Sequence, residues 1–262
     1  MEPVGAGIHL RTQDRVKVLD ALRELMEREG LRWVGGGPDG APEGAVRLLL
    51  LPPRGAWTSL YPEDRALEPR LAAGLAQALG APAFTVGWVG EAAFFYRAYG
   101  PTGELVDEYH SCPDYEKESD EDDASEEELR RTKGDTQLLV ALLGQPSGCS
   151  ADALASLLAE SRIERLRDHD PVEGYADNVE PLTRLAEAFA LPDLLEDFDE
   201  LWHIGLDEEE DVDLRYLAYA APGKKSSLSG LVDRWRRRRG GDTPGGAEPA
   251  DDDDEGEDAK AR

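Results

Sequence analysis

The sequence predicts an α+β fold: an N-terminal mixed or antiparallel sheet with two helices, then a mainly helical region and a disordered C-terminal tail. Three observations indicate this fold. Short apolar runs bounded by Gly and Pro fill residues 1–115, Leu- and Ala-rich helical repeats follow from 131, and Gly, Ser, Arg and Asp dominate from 223. Because the helices are too few to alternate with every strand, a layered sheet is favoured over a doubly wound one.

Residues 1–115 are expected to form one α+β domain. Its helices are predicted from leucines at helical spacing, with Gly30 and Gly80 ending them, and its strands from apolar runs that stop at Pro or Gly. The turn-rich stretch 31–44 begins with a short apolar run and is expected to be a loop. The expected elements are strand 6–12, helix 13–29, strands 46–53 and 57–62, helix 68–79, and strands 83–90, 92–99 and 104–110.

The second half is predicted to consist of an acidic break at 116–130, which is either a linker or an exposed helix start, a helical region at 131–222 and a tail at 223–262. Asp135 and Ser150 each precede an apolar repeat and are predicted N-caps, while Asp177 and Glu180 have capping-box-like spacing. Helices joined by short connections suggest a small bundle. A strand at 214–220 could return to the first sheet and join the two halves into one unit.

The formal net charge of −27 is concentrated in clusters: 10 acids lie in 114–128, six in 207–213 and seven in 251–258. Such a chain repels nucleic acids and anionic membranes and attracts basic proteins, so a basic protein partner is expected. The tail also holds a short basic run, which predicts a polyampholyte with, at most, weak nucleic-acid binding. The arginines of this run are Arg234, Arg236, Arg237, Arg238 and Arg239.

Two cysteines do not make a disulfide framework, and neither a signal sequence nor an apolar run long enough to span a membrane is apparent. These features predict a reduced, cytoplasmic protein. The preference for arginine over lysine, with abundant Ala, Gly and Pro, is associated with bacterial genomes rich in GC.

His110, Cys112 and Asp114 are the weak catalytic candidates, because a thiol nucleophile needs a base and an orienting group. Residues two apart on a strand lie about 6–7 Å apart, which is too far for a direct Cys–His hydrogen bond without a sharp turn. The acids that follow would also raise the thiol pKa. A turn at the end of a strand is therefore the favoured interpretation.

Other chemical sites are not predicted. The spacing of His, Cys, Asp and Glu matches no metal-binding motif, and the glycine-rich stretch 34–40 matches no phosphate loop, so neither a metal nor a cofactor is expected. Glu91, Asp107 and Glu108 lie among strand aromatics, where burial could raise a carboxyl pKa. Charges at the edge of a half-solvated sheet would explain them equally well.

The first 115 residues are rich in aromatic side chains. Core packing with cross-strand pairing is the favoured explanation, and an exposed aromatic binding face is the alternative. With four acids of the linker, the residues proposed for binding are Trp57, Tyr61, Trp88, Tyr96, Tyr99, Tyr109, Asp120, Glu121, Asp122 and Asp123.

The function expected from these patterns is that of a non-enzymatic, acidic protein–protein interaction module. One specific form is an immunity- or antitoxin-like inhibitor or regulator of a basic partner, which it would recognise by charge complementarity. The first alternative is a hydrolase or transferase that uses Cys112 or a carboxylate at the sheet ends. The second is a scaffold or regulatory protein that binds its partner with the helical half.

Overall fold

A computed structural model describes residues 4–35, 41–89, 93–113, 124–163, 179–192, 198, 201 and 215–221. The strands are β1 (Val4–Leu10), β2 (Arg32–Gly35), β3 (Val46–Leu50), β4 (Thr58–Pro62), β5 (Ala83–Val89), β6 (Ala93–Tyr99), β7 (Leu105–His110) and β8 (Arg215–Ala220). The α-helices are α1 (Arg15–Arg28), α2 (Glu68–Leu79), α3 (Glu126–Arg131), α4 (Thr136–Leu143), α5 (Ala151–Glu160) and α6 (Val179–Phe189), and a 3-10 turn (Arg65–Leu67) precedes α2. The predicted tail lies outside the described residues.

All eight strands belong to one antiparallel sheet in the order β2-β8-β3-β4-β1-β5-β6-β7. The predicted α+β class and antiparallel sheet are thus confirmed. The returning strand near 214–220 is β8, which pairs with β3 through Leu48 and Leu217 and with β2 through Trp33 and Tyr219. A strand from the C-terminal half therefore lies inside the N-terminal sheet.

One element differs from the expectation. The stretch predicted to be a loop begins with β2, which is short and has mostly exposed side chains, so its local pattern gives little sign of a strand. Its pairing partner β8 lies far along the chain.

Helix α3 begins within the acidic stretch 116–130. Its N-cap Ser125 accepts a hydrogen bond from the Glu128 amide. Three glutamates in its first turn interact favourably with the helix dipole.

Capping residues explain where several helices begin and end. The side chain of Asp14 accepts from the amide of Lys17 at the start of α1, and those of Asp135 and Ser150 cap α4 and α5 as predicted. Helix α2 has the predicted bounds and ends at Gly80, whose φ of 59° lies in the left-handed region.

The sheet carries helices on both faces, because side chains of successive strand residues point to opposite sides. Phe84, Val86 and Tyr96 point to the face covered by α4, α5 and α6, and share a core with their leucines. Helix α2 covers the other face, where the Arg97 side chain reaches Glu68 at the first turn of α2. Phe198 and Leu201 complete a smaller cluster with β3 and β4 residues.

Candidate functional site

The end of β7 is the first candidate site, since it carries the proposed thiol chemistry. His110 Nε2 lies 3.2 Å from Glu108 Oε1, and the ring centroid lies 5.5 Å from that of Phe95. Cys112 is only 6% exposed, and Asp114 lies outside the described residues. The structure therefore gives the His110 imidazole a carboxylate partner and buries the thiol, which argues against Cys112 as an accessible nucleophile.

A charged network lies on the α2 side of β6 and β7. Arg97 donates to Glu68 Oε2 through Nη1 and to Glu108 Oε1 through Nε, both at 2.8 Å. The two carboxylates are almost completely buried. Glu108 also pairs with Arg131 at the end of α3. The guanidinium of Arg97 further lies 4.8 Å from the centroid of the Phe95 ring. The network thus links α2, α3 and two strands.

The two buried carboxyls of this network have opposite pKa shifts. Burial raises the pKa of Glu68, and the charge of Arg97 offsets this only in part. Burial also opposes ionisation of Glu108, but the hydrogen bond with His110 and the charge of Arg97 outweigh it and lower its pKa to about 2. Glu68 Oε1 makes no hydrogen bond of standard geometry. Cations and hydrogen bonds therefore offset the burial of the Glu68 carboxylate less completely than that of Glu108.

On the opposite face of the sheet, a hydrogen-bonded group holds the start of α4. The Tyr96 hydroxyl donates to Asp107 Oδ2 at 2.9 Å, and the Asp135 amide donates to both oxygens of Asp107. Burial raises the pKa of Asp107, against the effect of these donors. The predicted rise in carboxyl pKa thus occurs at Asp107, whereas at Glu108 the pKa falls, and Glu91 lies outside the described residues.

The aromatic residues proposed for an exposed binding face are core residues instead. Trp57, Tyr61, Tyr96, Tyr99 and Tyr109 are buried, and the partly buried Trp88 packs against the same core. Their polar atoms also face inward: the Trp57 indole donates to the Phe189 carbonyl, and the Tyr109 hydroxyl donates to the Leu158 carbonyl. Burial thus favours the core interpretation of these aromatics over an exposed binding face, and α4, α5 and α6 cover Trp57, Tyr96 and Tyr109.

Arg162 joins the end of α5 to two other elements. Its guanidinium donates to the carbonyls of His110 and Leu129 at 3.0 and 2.6 Å and also to that of Thr132. These acceptors lie at the end of β7 and in the last turn of α3, where helix carbonyls lack intrahelical partners. Arg162 therefore fixes α3 and α5 to the same end of β7.

Two clefts flank the turn at 133–135. The first, of about 790 Å³, lies along α5 and includes Lys133, Arg162 and alanines of that helix. The second, of about 520 Å³, lies between β7 and α3 and includes Arg130, Arg131, Leu105 and Leu138. Both clefts are lined by charged side chains of both signs, including Asp135, together with apolar side chains.

Several proposed site residues cannot be placed in this geometry. Asp120, Glu121, Asp122 and Asp123 lie outside the described residues, as does the arginine run of Arg234, Arg236, Arg237, Arg238 and Arg239. Within the described part of the chain, no group of three or more His, Cys, Asp or Glu could hold a metal ion. Likewise, no described helix is both long enough and apolar enough to cross a membrane.

Comparison with known proteins gives no relative: no protein-family model matches the chain, and neither a curated protein nor a solved structure is significantly similar to it.

Sequence reasoning missed Glu68 and Arg97. A charged residue within the apolar run "AAFFYRAY" was an available signal, because a buried arginine requires acidic partners. Glu68 could be recognised only as an acid in the first turn of a helix, and its pairing with a residue 29 positions later depends on the fold. Arg162 gave no signal, since its acceptors are backbone carbonyls of two separate elements, β7 and α3.

Proposed function

We propose that the protein is a non-enzymatic interaction module that binds a basic protein partner through clustered acidic segments, while the residues that the structure describes are nearly neutral in sum. The distribution of charge carries this proposal. The described residues contain 20 Asp and Glu against 17 Lys and Arg, a net charge of −3, out of −27 for the whole chain. A net charge of −24 therefore belongs to the segments outside the described elements.

Two of these segments hold most of the excess negative charge. Residues 114–123 contain seven acids and one lysine, and residues 193–214 contain 11 acids and neither lysine nor arginine. The first follows directly on the end of β7, and the second leads directly into β8. A local excess of one sign increases both the rate and the selectivity of association with an oppositely charged surface. This supports an immunity- or antitoxin-like inhibitor or regulator as the specific form.

The alternatives receive less support from the side-chain environments. Cys112 is buried, and the carboxylates of Glu68 and Glu108 are held by Arg97, which disfavours a hydrolase or transferase that uses them. A scaffold that binds with the apolar faces of its helical half is disfavoured because α4, α5 and α6 direct most of their leucines into the core. The proposal places the protein in the cytoplasm, and the absence of a disulfide at Cys112 and Cys149 supports this.

A pull-down with the full chain from source cells, at low and moderate salt, tests the proposal. One variant neutralises seven acids of the segment that precedes β8, by Asn or Gln at Glu200, Asp207, Glu208, Glu209, Glu210, Asp211 and Asp213. A matched control neutralises seven exposed acids of the folded body, namely Glu24, Glu27, Glu43, Glu127, Asp152, Glu160 and Glu187.

We expect a basic protein to be retained by the wild type at low salt, to be lost from the first variant and to remain on the control. Moderate salt should weaken retention in every case, because dissolved ions screen the attraction between opposite charges. Recovery of no basic protein at either salt would refute the proposal, and so would equal losses from the two variants.

A further inference from the structure

The two edges of the sheet differ in how they are protected. At β7, the His110 amide donates to the Thr132 carbonyl at 3.0 Å, and Lys133 forms a bridge with Tyr109, so the chain itself covers this edge. At the other edge, β2 pairs with β8 on one side, and no described strand pairs with it on the other. Open edges can accept a further strand, and proteins usually protect them with charges or proline.

Strand β2 exposes apolar side chains instead. Trp33 is 57% exposed and Val34 is 42% exposed, and they are adjacent residues on the open edge. Arg32 is the only charged residue of the strand. Tryptophan is among the residues that contribute most to protein–protein interfaces, and exposed backbone groups beside it can pair with an extended segment. This edge therefore has the features of a strand-addition surface.

The charge beside this edge indicates what would occupy it. The segment with 11 acids enters the sheet at Arg215, the first residue of β8, and Ala218 in the same strand pairs with Gly35 of β2. Three residues along a strand span about 10 Å, so the acidic segment joins the sheet near the end of β2. A second copy of the chain would bring another −27 to this place, whereas a basic chain would be attracted.

We propose that the open edge of β2 binds an extended segment of the basic partner, which adds as a ninth strand and covers Trp33 and Val34. This inference rests on the function proposed above and identifies where the partner docks. The acidic segments attract the partner, while backbone pairing and the indole fix its position. Lysines or arginines of the added strand would lie at its ends, away from Arg32.

A β-bulge limits the strength of this contact. The register between β2 and β8 shifts between Trp33 and Gly35, so only a few residues of β2 present regular pairing groups. Strand addition alone should therefore be weak, and attraction by the acidic segments should contribute most of the affinity at low salt.

Binding of the synthetic peptide KKVTVTVKK to the full chain tests this inference. The same peptide, N-methylated at every residue of its VTVTV segment, keeps its charge but loses the amides that strand addition requires on both of its edges. We expect the unmodified peptide to bind the wild type at least about tenfold more tightly than the N-methylated peptide does, which corresponds to about 1.4 kcal/mol. It should also slow hydrogen exchange of the backbone amides at 32–35. Trp33→Lys should remove this preference, whereas Val16→Lys, a change at another exposed apolar residue, should preserve it.

The outcomes separate the two proposals. If both peptides bind equally to the wild type and binding falls with salt, the docking site is refuted and the charge-based function stands. If neither peptide binds at low salt, both proposals are refuted. If the protein alone forms a dimer that Trp33→Lys abolishes, a second copy occupies the edge and the docking of a basic partner there is refuted.

Discussion

Replacing Arg97 by methionine should lower the free energy of unfolding by up to about 3 kcal/mol at pH 7, and much less at pH 5. Arg97 is the cation that faces both Glu68 and Glu108. Glu108 would keep Arg131 and His110 as partners after the change. Glu68 is 1% exposed and would lose the cation whose charge favours its ionised form.

The magnitude follows from the protonation of Glu68. A carboxyl that is buried without a cation takes up a proton instead of remaining charged. Its ordinary pKa is 4.5. Because pH 7 lies about 2.5 pH units above this pKa and each unit corresponds to 1.36 kcal/mol, protonation at pH 7 costs about 3 kcal/mol. A raised pKa in the folded state costs stability only as the pH rises above the unfolded value, so near pH 5 the deficit should be below about 1 kcal/mol.

Urea unfolding at pH 5 and pH 7, followed by tryptophan fluorescence, measures this deficit against the wild type. The control is Arg97→Met combined with Glu68→Gln, in which a neutral amide replaces the stranded carboxylate. The control should lose the pH dependence of the deficit while it keeps any cost of lost packing. A deficit in Arg97→Met that is equal at the two pH values, or larger at pH 5, would show that the reasoning about Glu68 is wrong.

Two further predictions concern Arg162, which fixes α3 to the end of β7, and the two cysteine thiols. Arg162→Met should destabilise the fold by about 2–3 kcal/mol, because several buried carbonyls lose a charged donor. It should also speed hydrogen exchange of the α3 amides. Urea unfolding and hydrogen exchange measure the two effects, and an unchanged urea midpoint would contradict the prediction. In a thiol-labelling experiment on the native protein, the exposed Cys149 should react at once and the buried Cys112 only on unfolding; rapid labelling of Cys112 at neutral pH would revive the enzymatic alternative.

The helices and inner strands could be predicted because their signals are local. Leucines at helical spacing and the glycine at position 80 predict α2 with the bounds it has, and Asp135 and Ser150 cap the helices they precede. Strand β2 could not be recognised, because its residues are mostly exposed and its partner is distant. Runs of apolar residues predict burial, but they do not show which strand will lie beside them.

For the candidate site, the clustered acids were evident in the sequence, but the nearly neutral charge of the part of the chain that the structure describes was not. Burial of Tyr96 and Tyr109 depends on helices α4 to α6, which pack across the aromatic face of the sheet. The His110–Cys112 spacing weakened the thiol hypothesis, and the burial of Cys112 weakens it further. The carboxylate that pairs with His110 belongs to Glu108, which is only two residues away in the sequence. The sequence did not show that Arg97 and Arg131 also pair with this carboxylate.

The position of β8 in the sheet has a consequence for how the chain folds during synthesis. Arg32 pairs with Ala220, a residue made 188 positions later, and β3 also waits for β8 on one side. Until then β2 lacks its strand neighbour, and β3 presents an unpaired edge to other nascent chains. Pairing over so long a loop is slow to form. Truncation before residue 215 should therefore yield a protein prone to aggregation, even though β1 and β3–β7 would be complete.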